Sequence, residues 1–388
     1  MKANLYCLKI PMKQQFAHSA KTRQFAESLV LAIEHNNIIG IGECAPRSYV
    51  TGETVDSVFE SLQCINLSKI LNGLEFKSLD DAMSFVKESD ISNEKLLSQN
   101  MCCLIEMAVF DWLGKYFNSS LSDIIHIYYL NLQNNFSDKN KIKIKTSQVL
   151  DFSLTVDEFL KSRGPFHTVK IKASTDKKNN IDNVRSVREA LGDDVCIIMD
   201  ANMSWDIDTA QENIDLLSKF NVTYYEEPLP KNDWKGYQLL RKMTSAKIML
   251  DESLCSLQDA NSAVTHGAAD AFNIRLAKCG GISKSIELIN FAKTHGVDFQ
   301  LGAQVAEVGP LIAASRHMAA VVSDYFTYEA GQPDRFFDEK YVVSPMPLVN
   351  RSTNLADTLD GDGLGISLTP NLYMYSYQQA YFKEGKWI

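Results

Sequence analysis

The feature of this sequence that most constrains its fold is a polar residue that recurs at nearly constant spacing at the ends of short apolar segments. The spacings are 28, 26, 25, 27, 26 and 25 residues, and the residues concerned are Lys172, Asp200, Glu226, Asp251, Lys278, Gln304 and Glu329. The apolar segments are rich in β-branched and aromatic residues, and amphipathic helical patterns lie between them. This alternation predicts parallel strands joined by helices, and its regularity favours a closed βα barrel over an open sheet.

The barrel pattern is assigned to residues 126–340 and becomes regular near Ile142. Its first strand is expected in VLDFSLTV (149–156) and its last in YFTYE (325–329). The stretch KIKIK at 141–145 is typical of an exposed strand at the surface. Residues 1–125 follow a different, α+β pattern, in which a hairpin turning at 35–37 precedes helices such as the one predicted over 100–117.

The composition excludes several classes of function. Of the 388 residues, 45% are hydrophobic, which is enough for a large core. The 39 basic and 48 acidic residues give a net charge of −9, so neither nucleic acid nor an anionic membrane is an expected partner. The longest apolar runs are only as long as strands, the first residues lack the apolar stretch of a signal peptide, and the eight cysteines form no CxxC pair. We therefore expect a cytoplasmic protein with reduced thiols.

Three acidic residues end consecutive predicted strands, at IIMD, YYE and IMLD. In a βα barrel, adjacent strands would direct the carboxylates of Asp200, Glu226 and Asp251 into one mouth, where they would repel each other without a cation. Oxygen ligands alone suit Mg²⁺ (or Mn²⁺) better than zinc. The alternative is that each acid merely caps the helix that follows it. Three successive acids favour a divalent metal site.

Lysines lie on both sides of these acids. Lys170 and Lys172 are two residues apart on one strand and therefore point the same way, towards the barrel mouth, whereas Lys278, in RLAKCGG, is expected on the strand after the acids. The alternative is an exposed strand, as at 141–145. A buried lysine beside another cation has a lowered pKa, which would make Lys172 a base near neutral pH. With a metal stabilising the enolate of a carboxylate, such lysines would move an α-proton on either face.

Five ordered motifs carry a resemblance to a known family. They are TVKIKAS (168–174), MDANMSW (199–205), YYEEPLP (224–230), LDESL (250–254) and NIRLAKCGG (273–281). With them the chain resembles the mandelate racemase and muconate lactonising group of the enolase superfamily, closest to its muconate lactonising subgroup and similar to dipeptide epimerases. The resemblance implies an α/β fold, a (β/α)7β TIM-like barrel with an N-terminal α+β capping domain, to which residues 341–388 return.

The resemblance also implies roles for individual residues. Asp200, Glu226 and Asp251 would be the metal ligands, and Lys172 and Lys278 the acid and base. Lys170 would tune Lys172 and hold the substrate carboxylate. Supporting or substrate-side positions would be Asn202, Glu227 and Glu252. Loops at 16–23 and 46–53 of the capping domain would close over the barrel mouth, and a homo-oligomer is implied.

One departure concerns specificity. Dipeptide epimerases of this subgroup usually end the eighth strand with an Asp-x-Asp pair, whereas here Glu329 is followed by Gly331. A single Glu also resembles muconate cycloisomerases, so Glu329 leaves both open. Gln304 and Glu307 end the seventh strand, and Glu307 either contacts substrate or begins the helix that Pro310 continues. His317 is read as an ordinary packed or solvated helix residue.

The expected partner is therefore a small-molecule carboxylate substrate. The leading hypothesis is Mg²⁺-dependent racemisation or epimerisation of a dipeptide or N-acylamino acid. The enzymatic alternatives are a muconate-like cycloisomerase and a syn-dehydratase similar to o-succinylbenzoate synthase. A binding or scaffold protein that has lost catalysis is a further alternative, but the intact set of acids and lysines argues against it.

Overall fold

The computed structural model describes residues 1–18, 21–71, 74–89, 91, 97–130, 143–322 and 324–388. All structural statements below concern this part of the chain.

The N-terminal region consists of three antiparallel strands followed by six helices. The hairpin between the second and third strands turns at Asn36 and Asn37, which both have left-handed backbone conformations. The strands are β1 (Lys2–His18), β2 (Lys21–His35) and β3 (Ile38–Cys44). The helices are α1 (Ser48–Thr51), α2 (Val55–Gln63), α3 (Leu67–Ile70), α4 (Leu79–Glu88), α5 (Gln99–Tyr116) and α6 (Leu121–Leu130).

The long helix α5 is the centre of this region. Ser98 caps it by accepting a hydrogen bond from the Met101 amide, and its residues from 100 to 114 are all buried. It lies directly on β3, where a Cβ added to Gly40 would come within 2.1 Å of the Ala108 carbonyl oxygen. Glycine in β3 therefore permits the close approach of strand and helix, and the helix predicted over 100–117 is confirmed.

Seven parallel strands form the barrel wall and follow each other in chain order. They are preceded by β4 (Ile144–Lys145). The strands are β5 (Ser147–Leu150), β6 (Thr168–Lys172), β7 (Cys196–Asp200), β8 (Tyr224–Glu226), β9 (Ile248–Leu250), β10 (Ala271–Ile274) and β11 (Asp298–Leu301).

Helices cover the outside of this wall. Several begin at a polar cap, for example Asp206, whose carboxylate accepts a hydrogen bond from the Thr209 amide. The helices are α7 (Val156–Arg163), α8 (Lys177–Leu191), α9 (Ile207–Leu217), α10 (Trp234–Met243), α11 (Leu257–Thr265), α12 (Leu276–Cys279), α13 (Ile282–Thr294) and α14 (Pro310–Val321). The predicted βα alternation is confirmed.

The eighth strand closes the barrel where the sequence predicts it. Tyr328 forms single bridges to Leu301 and to Thr146, and these bridges close the wall between β11 and the beginning of β5. The chain leaves the wall immediately afterwards, because Gly331 and Gln332 have left-handed conformations. Before that point, the Phe326 amide donates to the Phe299 carbonyl oxygen at 3.1 Å and the Glu329 amide donates to the Leu301 carbonyl oxygen at 2.9 Å, so the strand predicted at 325–329 pairs with β11 over nearly its whole length.

The first barrel strand also differs from its prediction. It ends at Leu150, because Asp151 accepts a hydrogen bond at 2.9 Å from the Ser153 amide and turns the chain, and Thr155 then caps α7. The prediction of a strand over 149–156 is wrong for most of that range. In KIKIK, Lys143 and Lys145 are exposed, as predicted for a surface strand, and residues 141 and 142 lie outside the described part.

The C-terminal segment returns to the N-terminal region. Its strand β15 pairs antiparallel with β1, so that Leu5 lies opposite Ala380. The elements are α15 (Pro333–Phe336), β12 (Val343–Ser344), β13 (Leu355–Ala356), β14 (Ser367–Leu368), α16 (Asn371–Tyr375), β15 (Ser376–Lys383) and β16 (Lys386–Trp387). Within the described residues, no helix is long and apolar enough to cross a membrane.

Candidate active site

The three acidic side chains predicted to line the barrel mouth lie on adjacent strands. Asp200 ends β7, Glu226 ends β8 in register with it, and Asp251 directly follows β9. All three are fully buried. Lys172 ends β6 opposite Asp200. The order along the wall is therefore lysine, then three acids, then the segment that carries Lys278.

The two lysines of β6 form ion pairs with this row. Lys172 Nζ lies 2.5 Å from Asp200 Oδ2 and 3.0 Å from Asn202 Oδ1. Lys170 Nζ lies 2.6 Å from Glu226 Oε2 and 2.5 Å from Glu329 Oε1. Both lysines are buried and point to the barrel mouth, and the exposed-strand alternative does not describe them.

Lys278 lies beyond β10 on the one-turn helix α12, and not on a strand as the sequence pattern suggested. It is completely buried, and its Nζ donates hydrogen bonds to the carbonyl oxygens of Asp251 at 2.6 Å, Asn273 at 2.8 Å and Leu254. Three carbonyl acceptors match the three N–H bonds of an ammonium. The same Nζ lies 3.4 Å from Asp251 Oδ1, which places Lys278 at the far end of the acidic row.

Arg275 belongs to the site although the sequence analysis did not select it. Its guanidinium forms an ion pair with Asp251 Oδ2, lies 3.8 Å from Glu226 Oε1, and donates to Gln304 Oε1 at 3.4 Å. A signal was present, because an arginine directly after the apolar strand AFNI is as unusual as an acid at the end of IIMD.

Three further predicted residues form hydrogen bonds with the row or with the turns that carry it. Glu227 accepts hydrogen bonds from the amides of Asp251 at 2.6 Å and Ser253 at 3.1 Å, so it fixes the turn that carries Asp251. Asn202 contacts Lys172 with its side-chain oxygen and donates its amide to Glu252 Oε1 at 3.0 Å. Glu252 is therefore linked to Lys172 through Asn202, and both residues line the cavity described below.

The remaining predicted residues lie at the ends of the seventh and eighth strands. Glu329 Oε2 accepts a hydrogen bond from the Ala303 amide at 2.8 Å, and its other oxygen pairs with Lys170. Glu307 Oε1 accepts from the Gln304 amide at 2.7 Å, just before α14 begins. The Glu307 carboxylate therefore shapes its own loop, whereas Gln304 lines the cavity described below.

The pKa values show how the charges are balanced. Burial and the neighbouring Asp200 raise the pKa of Glu226 to about 8, and burial raises that of Glu227 to about 7. Burial would also raise the pKa of Asp200, but the lysines Lys172 and Lys170 hold it below its usual range. Burial lowers the pKa of Lys172, but the neighbouring carboxylates, chiefly Asp200, raise it by more. The pKa of Lys172 therefore lies above its ordinary value. The expected lowering of the Lys172 pKa is therefore not found, because its nearest charge is a carboxylate and not Lys170.

The fit of these residues to a metal ion rests on their chemistry. Among the described residues, no group of three or more metal-ligating side chains is already arranged around one point, because lysine and arginine engage the acids. Within the described part of the chain, the buried Asp251 Oδ1 and Glu252 Oε2 nevertheless accept no hydrogen bond, although Lys278 Nζ lies 3.4 Å from Asp251 Oδ1. Buried carboxylates with unfilled acceptor sites are the ligands that hard divalent cations prefer. The donor set fits such an ion, which would take the place of the cationic side chains.

A cavity lies beside the row, next to Lys172. Two aromatic side chains of the N-terminal region, Phe16 and Tyr49, contribute to its wall, one from each of the two loops predicted to close over the mouth. Its charged and polar lining from the barrel comprises Lys170, Lys172, Asn202, Glu252, Arg275 and Glu329. The cavity thus has charged groups on the barrel side and aromatic groups on the N-terminal side.

A comparison with known protein families finds a match over most of the barrel and part of the C-terminal segment. Residues 152–372 match the model of the family described as enolase C-terminal domain-like. Among characterised relatives, a hydrophobic dipeptide epimerase of Enterococcus faecalis is 27% identical over 322 residues, which are 80% of this chain and 84% of the relative. An N-succinyl-L-Arg/Lys racemase of Bacillus cereus is 26% identical over 319 residues, 81% of this chain and 82% of the relative.

Solved structures agree with this match. A crystal structure of the N-succinyl Arg/Lys racemase from Bacillus cereus superposes with a TM-score of 0.83 at 22% identity and covers 99% of both chains. A dipeptide epimerase from Enterococcus faecalis, complexed with Mg and the dipeptide L-Leu-L-Tyr, superposes with a TM-score of 0.78 at 25% identity and covers 94% of this chain and 99% of that one. The predicted fold class and resemblance are confirmed: the chain belongs to the enolase C-terminal domain-like family, in its mandelate racemase and muconate lactonizing branch.

Proposed function

We propose that this protein is a Mg²⁺-dependent racemase or epimerase that removes the proton α to the carboxylate of a dipeptide or an N-acylamino acid. The observation that carries the proposal is the order along the barrel wall, in which Lys172 and Lys278 stand at opposite ends of a row of three buried acids. Two proton-carrying groups on either side of one substrate position are what inversion at a carbon requires. The names of the relatives support the same reaction.

In this proposal Asp200, Glu226 and Asp251 hold the metal. Bound there, Mg²⁺ (or Mn²⁺) would supply positive charge that stabilises the enolate formed from the substrate carboxylate. Lys170, paired with Glu226 and Glu329, supplies a second positive charge on the same side and orients the carboxylate.

The proton transfer itself uses the two outer lysines. One lysine, as a neutral amine, takes the α-proton, and the C–H electrons pass into the enolate. The other lysine, as an ammonium, returns a proton to the opposite face, so that no atom is gained or lost. The three hydrogen bonds of Lys278 to carbonyl oxygens match those of an ammonium, which supports the acid role that we propose for this residue.

The substrate class follows from the relatives and the cavity. We propose a small carboxylate whose polar end faces Lys170, Lys172 and Arg275 and whose side chain or acyl group lies against Phe16 and Tyr49. We further propose that the enzyme acts in the reducing cytoplasm as a homo-oligomer. All eight cysteines are free in the structure, which is compatible with that compartment, and light scattering after size-exclusion chromatography measures the oligomeric state.

The test is α-deuterium exchange. The protein is incubated with Mg²⁺ in D₂O against dipeptides, N-acylamino acids and muconate-like acids, each offered as a single stereoisomer, and deuterium incorporation, chirality and product mass are followed together. Exchange with inversion and no other mass change supports the proposal. A change of mass or unsaturation beyond exchange would replace it with a dehydratase or cycloisomerase.

Variants of the two lysines sharpen the test. Lys172→Ala and Lys278→Ala are each expected to lower racemisation by at least about a hundredfold, because a positioned acid or base contributes roughly 10²–10⁴ in rate. Each variant should lose exchange of one stereoisomer and keep exchange of the other. Lys161→Ala, at an exposed position on α7, is the matched control and should change neither. Full racemisation in either catalytic variant would contradict the two-base scheme.

A further inference from the structure

Lys278 is followed by a turn that packs tightly against the N-terminal region. Gly280 and Gly281 both have positive φ angles, 88° and 106°, and separate α12 from α13. A Cβ added to Gly281 would lie 2.3 Å from Glu106 Oε2 and 3.3 Å from the Cα of Cys103. There is thus no space for a side chain between this turn and helix α5.

Glu106 fills the remaining space with hydrogen bonds. Its carboxylate, on α5, is completely buried and accepts from the amides of Ile282 at 2.5 Å and Ser283 at 3.2 Å. These are the first amides of α13, which has no cap of its own because its N-cap residue is Gly281. Free N–H groups at a helix start attract a negative charge, so a residue of another region supplies the missing cap.

The position of Lys278 depends on the same turn. Its Nζ is fixed by carbonyl oxygens on the barrel side, and its backbone is fixed through the glycine turn that Glu106 holds on the other side. A displacement of about 1 Å at a reacting group costs up to roughly a hundredfold in rate. Lys172 has no such connection, since its contacts are Asp200 and Asn202.

We propose that Glu106 is a positioning residue for Lys278, through which the N-terminal region sets the geometry of one of the two proton-transfer groups. The inference rests on the proposed function, because it assigns Lys278 to one stereoisomer. Its signature is asymmetry: the loss of Glu106 should slow the half of the reaction that uses Lys278 and leave the half that uses Lys172.

The molecule contains a matched control in Glu43. This residue, on β3, is also completely buried and caps a barrel helix from the N-terminal region, accepting from the amides of Val308 at 2.8 Å and Leu311 at 3.0 Å at the start of α14. The segment before α14 carries no lysine between Gly302 and Gly309. Loss of this cap should disturb the fold to a similar degree without favouring either lysine.

The experiment measures initial rates of α-deuterium exchange for each stereoisomer separately, in the full-length protein with Mg²⁺. Lys278→Ala first identifies the stereoisomer that depends on Lys278. Glu106→Gln is then expected to slow exchange of that stereoisomer by about tenfold or more and to change the other by less than about threefold. Glu43→Gln should change both by the same factor.

Each outcome of this experiment either supports or overturns the inference. An equal effect of Glu106→Gln on both stereoisomers, or no effect on either, overturns the inference while leaving the proposed function standing. Absence of exchange in the wild-type protein overturns the proposed function and this inference with it. Should Glu106→Gln fail to fold, Glu106→Asp, which keeps the charge but shortens the reach, is measured instead, and the same selective loss is required.

Discussion

Buried charges occur in two regions of this molecule, and the two regions neutralise them differently. At the strand ends, acids pair with cationic side chains, as Asp200 does with Lys172 and Asp251 with Arg275. Between the N-terminal region and the barrel, buried acids accept hydrogen bonds mainly from backbone amides, as Glu43 and Glu106 do.

This difference in hydrogen-bond partners distinguishes the acids of the candidate active site from the acids that hold the two regions together. A side chain that pairs with another side chain can exchange its partner for a ligand by rotating, at little cost to the fold. A carboxylate that caps backbone amides cannot leave without exposing them, and an unsatisfied buried amide costs about 1–3 kcal/mol. We therefore expect substitutions at the strand ends to affect metal binding and turnover, and substitutions between the two regions to affect mainly stability. Glu106 is the exception, because the turn that it caps also carries Lys278.

The largest effect is expected from Asp251→Asn. This variant should lower kcat/KM by about a thousandfold or more, because a bound metal contributes several kcal/mol to charge stabilisation in the transition state. Its free energy of unfolding should change much less, since Arg275 keeps Glu226 at 3.8 Å. Calorimetric titration with Mg²⁺ and urea unfolding measure the two quantities, and Asp208→Asn, at an exposed position on α9, is the control. An unchanged Mg²⁺ affinity of the Asp251→Asn variant would contradict the assignment of the strand-end acids to metal binding.

A loss of stability without loss of chemistry is expected from Asp111→Asn. Asp111 is completely buried on α5 and accepts from the amides of Ile41 at 2.8 Å and Leu364 at 2.7 Å and from Lys115 Nζ at 2.7 Å. An asparagine presents an amide N–H to these donors, so we expect a loss of about 3 kcal/mol in the free energy of unfolding.

The controls for this variant concern both quantities. Glu60→Gln, an exposed acid on α2, should change the stability by less than about 0.5 kcal/mol. The turnover of the folded Asp111→Asn protein should equal that of the wild type. A thousandfold loss of turnover with unchanged stability would contradict the assignment of Asp111 to architecture.

A smaller, pH-dependent effect is expected at His317. This buried residue of α14 accepts from the Ser122 amide at 3.2 Å through Nδ1, and its Nε2 lies 3.2 Å from the Leu364 carbonyl oxygen. Nε2 therefore carries the proton of a neutral ring. Burial lowers the pKa of His317 from 6.5 to about 4. The unfolded chain takes up a proton at higher pH than the folded one, so stability falls as the pH drops from about 7 towards 4.

The magnitude follows from the two pKa values. The contribution of His317 to the free energy of unfolding should decrease by about 2 kcal/mol between pH 7 and pH 5. His317→Gln, which keeps an acceptor and a donor, should show a correspondingly flatter dependence on pH. Urea unfolding at several pH values measures the difference, and equal slopes for both proteins would contradict it.

Sequence reasoning identified the barrel and the acidic row because both follow from local order. In parallel strands, chain order fixes which residues become neighbours, so Asp200, Glu226 and Asp251 could be placed side by side without knowledge of the packing. Arg275 was missed because its partners come from three other segments. Glu106 was missed because the sequence of a buried helix does not show which of its acids has a partner, and the amides that bind its carboxylate lie more than 170 residues further along.

The errors of the sequence analysis have a common physical cause. The first strand is shorter than predicted because Asp151 redirects the backbone with its side-chain hydrogen bond. The strand propensities of residues depend on their side chains, and they do not show where such turns of the backbone begin. The placement of Lys278 on a helix rather than a strand has the same origin, since the chain turns into one helical turn directly after β10 and ends it at Gly280, which has a positive φ.

The pairing of β1 with β15 bears on the order in which the molecule is made. A ribosome releases the residues of β1 before those of the barrel and the residues of β15 after them, yet Ala3 lies opposite Phe382 in one sheet. The hairpin of β1 and β2 can form early, but the other edge of β1 stays unpaired until β15 has been synthesised. While the barrel is being made, this edge is therefore a place where one nascent chain can pair with another.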